Sequence, residues 1–154
     1  MTEIDNLLDS YGEYHQDSRN RFIHLFGIPI VTFSLFVFLA WFRLAFLNWL
    51  SAATLFFVGI LGYYAFLDRR LAVWVAALFT PLLLVAERLV IGDPLASIKW
   101  FFITFIGGWA LQLLGHAFEG RKPALADNLF QALVAPLFVA VEIKAYYQKH
   151  LRRN

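Results

Sequence analysis

The chain has 154 residues, of which 60% are hydrophobic and 16% charged, and its mean hydropathy is +0.63. Soluble domains are about 45–50% apolar, and the apolar residues here fall in long unbroken runs, so the composition predicts a polytopic membrane protein. The absence of cysteine excludes disulfides and thiolate metal sites, and a net charge of only +2 without a basic, aromatic-interleaved stripe argues against nucleic acid as a partner.

The chain opens with a polar stretch, which we interpret as an amphipathic helix lying along the membrane surface. It covers residues 1 to about 26 and lacks a basic start followed by an apolar core, so no signal peptide is predicted. Asp17 and Ser18 interrupt this stretch. They offer an N-cap for a second helix that carries Asn20 and His24.

Five apolar segments follow, at roughly residues 28–47, 50–67, 71–91, 97–118 and 126–147. A helix needs about 20 apolar residues to cross the hydrocarbon core of a bilayer. The first, third and fourth segments meet that length and the second is marginal. The fifth is interrupted by Gln131, Pro136 and Glu142, which makes it a poor span.

The distribution of basic residues predicts the topology, because cytoplasmic loops are enriched in lysine and arginine. With the N-terminus in the cytoplasm, the basic residues on that side are Arg19, Arg21, Arg69, Arg70, Arg121 and Lys122. Four spans fit this pattern, whereas a fifth would place the most basic segment outside. The predicted fold is therefore an all-α membrane bundle forming a single domain over residues 1–154. It has four spans, an N-terminal amphipathic helix and a C-terminal re-entrant or interfacial helix packed on the cytoplasmic side.

Three of the four histidines are predicted to converge at the cytoplasmic end of this bundle. His15 and His24 precede the first span, and His116 lies at the end of the fourth. Imidazole is the commonest protein ligand for transition metals. Residues nine apart on one straight helix lie on opposite faces, so His15 and His24 can share a metal only if the chain breaks at Asp17 and Ser18. Imidazole and oxygen ligands without sulfur suit Fe(II), Zn(II) or Mn(II).

Polar residues flank these histidines at helical spacing. Tyr11 lies four residues before His15, and Asn20 lies four before His24, so each pair shares a helix face and can fix the orientation of an imidazole. The alternative for any one histidine is a structural hydrogen bond at a helix end.

The last turn of the fourth span carries a similar group. Gln112, His116 and Glu119 share a helix face, and Glu119 can act as a further metal ligand or as an orienting partner. The fourth histidine, His150, lies in a basic tail, where simple solvation is expected.

Other polar or small residues in the spans favour structural roles. Arg43 and Arg88 lie near span ends, where they are expected to extend toward the headgroups. Glu87 lies deeper and is expected to pair with Arg88 or with a partner that the sequence does not identify. Gly107 and Gly108 are expected to permit close helix packing.

Two stretches resemble the signatures of a known family. The N-terminal stretch contains Tyr11, Tyr14, His15, Asn20, His24, Gly27, Ile28 and Pro29. The C-terminal stretch contains Gln112, Gly115, His116, Phe118, Glu119, Pro123, Ala124, Leu125, Asn128, Gln131, Ala135, Pro136 and Glu142. Over nearly its whole length the chain resembles the small membrane 2-hydroxy fatty acid dioxygenases.

The resemblance implies an Fe(II)-dependent oxidative decarboxylation, in which a long-chain 2-hydroxy fatty acid and O2 give the fatty acid one carbon shorter and CO2. It implies that His15, His24 and His116 hold the iron and that Glu119 joins them as a catalytic residue. The implied orienting or substrate-contacting residues are Tyr11, Tyr14, Asn20, Gln112 and Glu142. Candidates for the group that holds the substrate carboxylate are Arg19, Arg21 and Lys122.

The substrate's acyl chain is then expected in the bilayer or between spans, so membrane lipid is a further partner. The implied location is the bacterial inner membrane, or the endoplasmic reticulum in a eukaryote, with the site on the cytoplasmic side. Two alternatives remain. One is a non-catalytic membrane scaffold or transporter subunit with structural histidines, and the other is a Zn(II) hydrolase that acts on another lipid.

Overall fold

Six helices and one short hairpin make up the part of the chain that the computed structural model describes, residues 2–44, 47–123, 128 and 130–151. The helices are α1 (Glu3–Gly12), α2 (Ser18–Ala40), α3 (Ala52–Leu67), α4 (Arg69–Gly92), α5 (Pro94–Glu119) and α6 (Gln131–Leu151). Strands β1 (Arg43–Leu44) and β2 (Leu47–Ser51) pair antiparallel between α2 and α3. The predicted all-α class is confirmed. The side chain of His150, whose solvation is predicted above, lies outside the described part of the structure, as do Ala124 and Leu125.

Aspartate side chains begin three of the long helices. The carboxylate of Asp17 accepts a hydrogen bond from the backbone N–H of Arg19, and Asp68 and Asp93 cap α4 and α5 in the same way. Each satisfies backbone donors that the first turn of a helix leaves unpaired. The predicted N-cap at Asp17 is therefore confirmed, and it separates α1 from α2.

Three of the described helices, α2, α4 and α5, are long and apolar enough to cross a membrane. Their outward surfaces carry many large exposed apolar side chains, among them Phe22, Phe26, Val73 and Ile106. Such a surface is favourable in lipid and unfavourable in water, so the chain is a membrane protein. Helix α3 is apolar but shorter, at 16 residues. The predicted fourth span requires α3 to cross as well, and this count and the cytoplasmic side both stay predictions.

The first predicted span is displaced relative to its helix. Helix α2 begins at Ser18 and ends at Ala40, whereas the apolar run predicts a span over residues 28–47. Asn20 and His24 therefore belong to the same helix as the first span. The helix ends early because the chain turns into the β1–β2 hairpin, where Arg43 pairs with Glu87 of α4.

Glu87 is the centre of a polar cluster at that end of the bundle. Its carboxylate pairs with Arg43 and accepts hydrogen bonds from the hydroxyls of Ser51 and Thr54. Arg43 is thus the partner that the sequence did not identify for Glu87. The ion pair joins the hairpin to α4, so Arg43 serves the bundle rather than the lipid headgroups.

Helix α6 packs along the bundle against α1, α2 and α4. It buries Val134, Leu137, Phe138, Val139 and Ala140. The described helices that are long and apolar enough to cross a membrane do not include α6. This placement fits a helix packed against the bundle and brings its first turn beside α2.

Helix α2 packs most extensively against α5, and glycines of α5 allow the close approach. A Cβ added at Gly108 would lie 2.7 Å from Cγ2 of Val31 and 3.0 Å from its backbone nitrogen. At Gly107 an added Cβ would meet nothing within 4 Å. The predicted packing role therefore applies to Gly108 and not to Gly107.

Candidate metal centre

Three buried imidazoles converge where α5 ends beside the start of α2. The exposed fractions of His15, His24 and His116 are 3%, 1% and 5%. Their ring centroids lie 4.5 Å apart for His15 and His24, 5.0 Å for His15 and His116, and 4.9 Å for His24 and His116. One nitrogen from each ring lies within 4.8 Å of the other two. This triad is a group that could hold a metal ion.

The break between α1 and α2 brings the two N-terminal histidines together. Helix α1 ends at Gly12, His15 lies in the link, and α2 begins at Ser18. Without the break, the rings of His15 and His24 would lie on opposite faces of one helix. The break that their spacing required is present at the predicted position.

His116 is held in the last turn of α5. Gly120 follows the last residue of the helix, has a φ of +69° and donates its N–H to the carbonyl of His116. Glycine adopts this left-handed conformation without the steric penalty of a Cβ, so it is a common helix terminator. The end of α5 thus places His116 level with the start of α2.

Backbone carbonyls orient two of the rings. The carbonyl of Tyr11 lies 2.8 Å from Nδ1 of His15, and the carbonyl of Asn20 lies 3.0 Å from Nδ1 of His24. A carbonyl only accepts, so Nδ1 carries the proton and Nε2 keeps the lone pair that a metal requires. Tyr11 and Asn20 therefore orient His15 and His24, as predicted, but they do so through their main-chain carbonyls rather than through the phenol and the amide.

The unpartnered nitrogens of the triad test whether these residues fit a metal. Nε2 of His15 and Nδ1 of His116 are buried and have no hydrogen-bond partner among the described residues. Buried polar atoms nearly always have a partner, so two such atoms in one cluster require an explanation. A cation bound between the rings would supply it, so the residues fit a metal ion.

The environment of His15 also suits metal binding. Burial lowers the pKa of its imidazole to about 4, so the ring is neutral near pH 7 and its lone pair is available. The ring stacks on that of Tyr11, with centroids 4.2 Å apart and an interplanar angle of 10°. Burial raises the pKa of the Tyr11 phenol, which keeps this neighbour uncharged.

Glu119 lies beside the triad but is engaged with the start of α2. Its Oε1 accepts from the backbone N–H of Gln16 at 2.9 Å. Its Oε2 accepts from the N–H of Asp17 at 2.9 Å and from Nδ2 of Asn20 at 3.0 Å. The carboxylate thus ties the end of α5 to the link before α2. This geometry suits a residue that positions His15 and His24 more than it suits a fourth ligand.

Replacing Glu119 by alanine leaves the N–H groups of Gln16 and Asp17 and the amide of Asn20 without their acceptor. We expect metal affinity to fall about 10- to 100-fold, the usual effect of removing a group that orients a ligand, although all three histidines remain. The measurement is metal titration of purified Glu119→Ala, with Glu119→Gln as a variant that keeps one acceptor oxygen and falls between the two. Equal metal affinity in Glu119→Ala and the unmodified protein would contradict this role.

Asn20 is fully buried between the link and α5. Its Nδ2 donates to the carbonyl of Tyr14 at 3.2 Å as well as to Glu119, while its Oδ1 is buried without a partner among the described residues. A Cβ at Gly115 would overlap Oδ1 of Asn20 and lie 2.9 Å from Nδ1 of His24. Asn20 and Gly115 therefore set how closely α2 and α5 approach at the triad.

The other predicted site residues lie at different distances from the triad. Gln112 lines a cavity beside the histidines and lies against Gly27 of α2. Tyr14 contributes the carbonyl that holds Asn20. Glu142 forms an ion pair with Arg21, which joins α6 to α2 rather than contacting a histidine.

Two of the three cations predicted as candidates to hold the substrate carboxylate already form ion pairs within the protein. Arg19 pairs with Asp17 at 2.7 Å and lies over the ring of Phe118, 4.6 Å from its centroid. Arg21 is paired with Glu142, and Lys122 is exposed. The structure does not bring any of these cations into the lining of the cavity beside the triad.

Gln131 is a site residue that sequence reasoning did not select. It lines the cavity beside the histidines and is 8% exposed. Its Nε2 donates to Oγ of Ser10 at 3.1 Å, whereas its Oε1 is buried without a partner among the described residues. The sequence signals were its polar side chain in an apolar segment and its place in the C-terminal stretch that carries the family resemblance.

Comparison with known proteins identifies the family. A family model described as 2-hydroxy-palmitic acid dioxygenase Mpo1-like matches residues 1–147. The chain belongs to the Mpo1-like family. This Mpo1-like chain is similar to the 2-hydroxy-palmitic acid dioxygenase MPO1 of Saccharomyces cerevisiae. The two sequences are 31% identical over 144 residues, which cover 92% of this chain and 80% of the yeast protein. No solved structure gives a significant match. The predicted family is confirmed.

Proposed function

We propose that this Mpo1-like protein is an Fe(II)-dependent dioxygenase that shortens long-chain 2-hydroxy fatty acids by one carbon. The observation that carries the proposal is the buried histidine triad with its unpartnered nitrogens. Membership of a family described as 2-hydroxy-palmitic acid dioxygenases supports the substrate class and the use of O2. Imidazole ligands without sulfur suit Fe(II) among the metals of such enzymes.

The overall reaction balances without any further reductant. A 2-hydroxy fatty acid and O2 give CO2, water and the fatty acid one carbon shorter. The bond between the carboxyl carbon and the hydroxyl-bearing carbon breaks, the carboxyl leaves as CO2, and the hydroxyl-bearing carbon becomes the new carboxyl. The substrate loses four electrons and O2 accepts four, so no flavin, haem or other organic cofactor is needed.

The three histidines of the triad are the residues that we propose to hold the metal. His15 and His24 would offer Nε2, and His116 would offer the unpartnered Nδ1. Bound Fe(II) supplies one-electron chemistry toward O2 and open coordination positions. Glu119 and the carbonyls of Tyr11 and Asn20 would keep the rings oriented toward the ion.

The substrate's polar end fits beside the triad. The cavity there has a volume of about 110 Å³ and is largely apolar, with Tyr11, Gln112 and Gln131 among its polar lining. Oε1 of Gln131 is a buried acceptor without a partner among the described residues, so it suits the 2-hydroxyl of the substrate as donor. The apolar walls limit the access of water to the reacting carbon.

The orientation in the membrane is part of the proposal. If α3 crosses together with α2, α4 and α5, four spans place the N-terminus and the triad on one side. The lysine and arginine bias makes that side cytoplasmic. Substrate then reaches the site from the bilayer, where long-chain acids partition.

Metal analysis and O2 uptake on the purified protein test this function. We expect stoichiometric iron, and O2 consumption with 2-hydroxyhexadecanoate that yields pentadecanoate and labelled CO2 from substrate labelled at the carboxyl carbon. Hexadecanoate, which lacks the hydroxyl, is the control and should give neither product.

Two outcomes would overturn the proposal. Stoichiometric zinc without O2 uptake would favour a hydrolase, and a protein without metal whose histidine variants lose only stability would favour a scaffold.

A further inference from the structure

Two cavities in the bundle lie next to each other. The first, which we call the histidine cavity, has a volume of about 110 Å³ and is lined by the triad together with residues of α2, α5 and α6. The second, which we call the distal cavity, has a volume of about 90 Å³ and is lined largely by apolar residues of α2, α3, α4 and α6. Thr32 and Ala132 line both cavities, so the two meet at this pair.

One face of α2 runs along both cavities. Ile28 and Thr32 line the histidine cavity, and Thr32, Leu35 and Phe36 line the distal cavity. These residues follow His24 at intervals of three and four, which is the spacing of neighbours on one helix face. The two cavities therefore line up along one face of α2, from the triad toward the membrane-spanning part of the helix, and we call this line of cavities the path.

The opposite wall is the first part of α6. Ala132 and Ala135 line the histidine cavity, while Ala132, Leu133 and Pro136 line the distal cavity. The small side chains of Ala132 and Ala135 leave room between α6 and α2. The packing of α6 against the bundle thus creates the path.

The distal cavity suits an alkyl chain. Phe36, Phe57 and Phe79 form its buried wall, with exposed fractions of 1%, 5% and 1%. The hydroxyl of Tyr64, which also lines it, donates to the carbonyl of Leu133, so this polar group is already satisfied. Dry apolar cavities of about 150 Å³ bind molecules the size of benzene. The two cavities together exceed that size and offer room for several methylene groups.

The path is open at its side. Ala132 is exposed, and Leu35 and Phe56 of the distal cavity are 38% and 36% exposed. In a membrane these surfaces face the acyl chains of lipid. A long-chain substrate can therefore move sideways from the bilayer into the path without passing through water.

We propose that the histidine cavity and the distal cavity form one groove for the acyl chain of the substrate, with Thr32 and Ala132 at its constriction. The proposal rests on the proposed function for the identity of the head group at the triad. Phe57 and Phe79 close the buried end, and the groove thereby sets the preferred chain length.

A chain-length series tests the constriction. In Ala132→Phe, kcat/KM for 2-hydroxyhexadecanoate is expected to fall roughly 10- to 200-fold, the range seen when a hydrophobic pocket loses room for part of a substrate. Turnover of 2-hydroxyoctanoate should persist, because its chain ends near the constriction. Thr32→Phe narrows the same point from α2 and should give the same pattern. The matched control is Ala145→Phe, an exposed alanine of α6 that lines neither cavity.

A second experiment needs no turnover. A fatty acid with a photoreactive diazirine at its methyl end is cross-linked to the protein in lipid nanodiscs, and the adducts are mapped by mass spectrometry. We expect adducts on α3 and α4 around Phe57 and Phe79, and their loss in Ala132→Phe. A probe with the diazirine next to the carboxylate should instead label the lining of the histidine cavity.

The two experiments separate failure of the groove from failure of the proposed function. Equal losses on short and long substrates, or methyl-end adducts on the outer surface such as Phe66, would overturn the groove even if the enzyme is active. Methyl-end adducts at Phe57 and Phe79 in a protein that turns over no 2-hydroxy acid would support the groove and overturn the function.

Discussion

Replacing His116 by alanine is expected to remove the bound metal and O2 uptake together, while the helices persist. The two remaining imidazoles both come from the N-terminal part of the chain, so the variant loses the imidazole that α5 contributes to the triad. Removing a group that only orients a ligand costs about 10- to 100-fold in metal affinity, so we expect the loss of the ligand itself to exceed about 100-fold. Iron content of the purified variant and O2 uptake with 2-hydroxyhexadecanoate measure the effect.

Two controls make the His116→Ala result specific. Far-ultraviolet circular dichroism should show unchanged helix content, because His116 lies in the last turn of a helix with apolar packing along its length. The same substitution at His150, in the basic tail, should leave iron and activity at the level of the unmodified protein. Retention of stoichiometric iron and full turnover in His116→Ala would show that the triad does not hold the metal.

Replacing Gly115 by alanine is expected to damage the triad without touching a histidine. The added Cβ would overlap Oδ1 of Asn20 and lie 2.9 Å from Cε1 and Nδ1 of His24. Neither neighbour can readily move, since Asn20 is bonded to Glu119 and to the carbonyl of Tyr14, and the ring of His24 is held by the carbonyl of Asn20. Overpacking of this kind costs about 1–3 kcal/mol, and we expect metal affinity to fall about 10- to 100-fold as α2 is displaced from α5.

The matched control for Gly115→Ala is Gly107→Ala on the same helix. An added Cβ at Gly107 meets no atom within 4 Å, so this substitution should leave iron content and thermal stability in detergent unchanged or slightly raised. If Gly115→Ala binds iron as tightly as Gly107→Ala, the close approach of α2 and α5 is not what shapes the site.

The parts of this fold that follow from local sequence were predicted well. The apolar runs at residues 71–91 and 97–118 became α4, Arg69–Gly92, and α5, Pro94–Glu119. The break before Ser18 followed from helical phase and from an aspartate able to cap a helix. These features depend on neighbours three or four residues away, and such neighbours are visible in a sequence.

The parts that were missed depend on contacts between distant segments. The end of α2 at Ala40 reflects the pairing of Arg43 with Glu87 of α4, and an apolar run does not reveal such a partner. Similarly, Glu119 was expected near His116, but its acceptor role toward two backbone N–H groups depends on how the link before α2 is folded. Residue patterns identify the side chain of Glu119, whereas its partners here are backbone N–H groups of a distant segment.

The polar interruptions of the fifth segment have a different explanation. Gln131 and Pro136 make the segment a poor membrane span, and in the structure both line cavities beside α2. A residue that is unfavourable in lipid is tolerated where it faces the interior of the bundle. Only the packing of α6 against the bundle shows that this interior is the space beside α2.

The bonds from Glu119 to Gln16 and Asp17 join residues 103 and 102 positions apart, and this separation has a consequence for how the protein is made. His15 and His24 leave the ribosome early, whereas His116 and Glu119 arrive together near the end of α5. At roughly 5–20 residues per second, synthesis of the intervening chain takes about 5–20 s. During that interval His15 and His24 are present without His116 and without the Glu119 carboxylate that fixes the start of α2. The triad is therefore complete only after α5 has been inserted into the membrane, which makes it a product of completed assembly rather than a template for it.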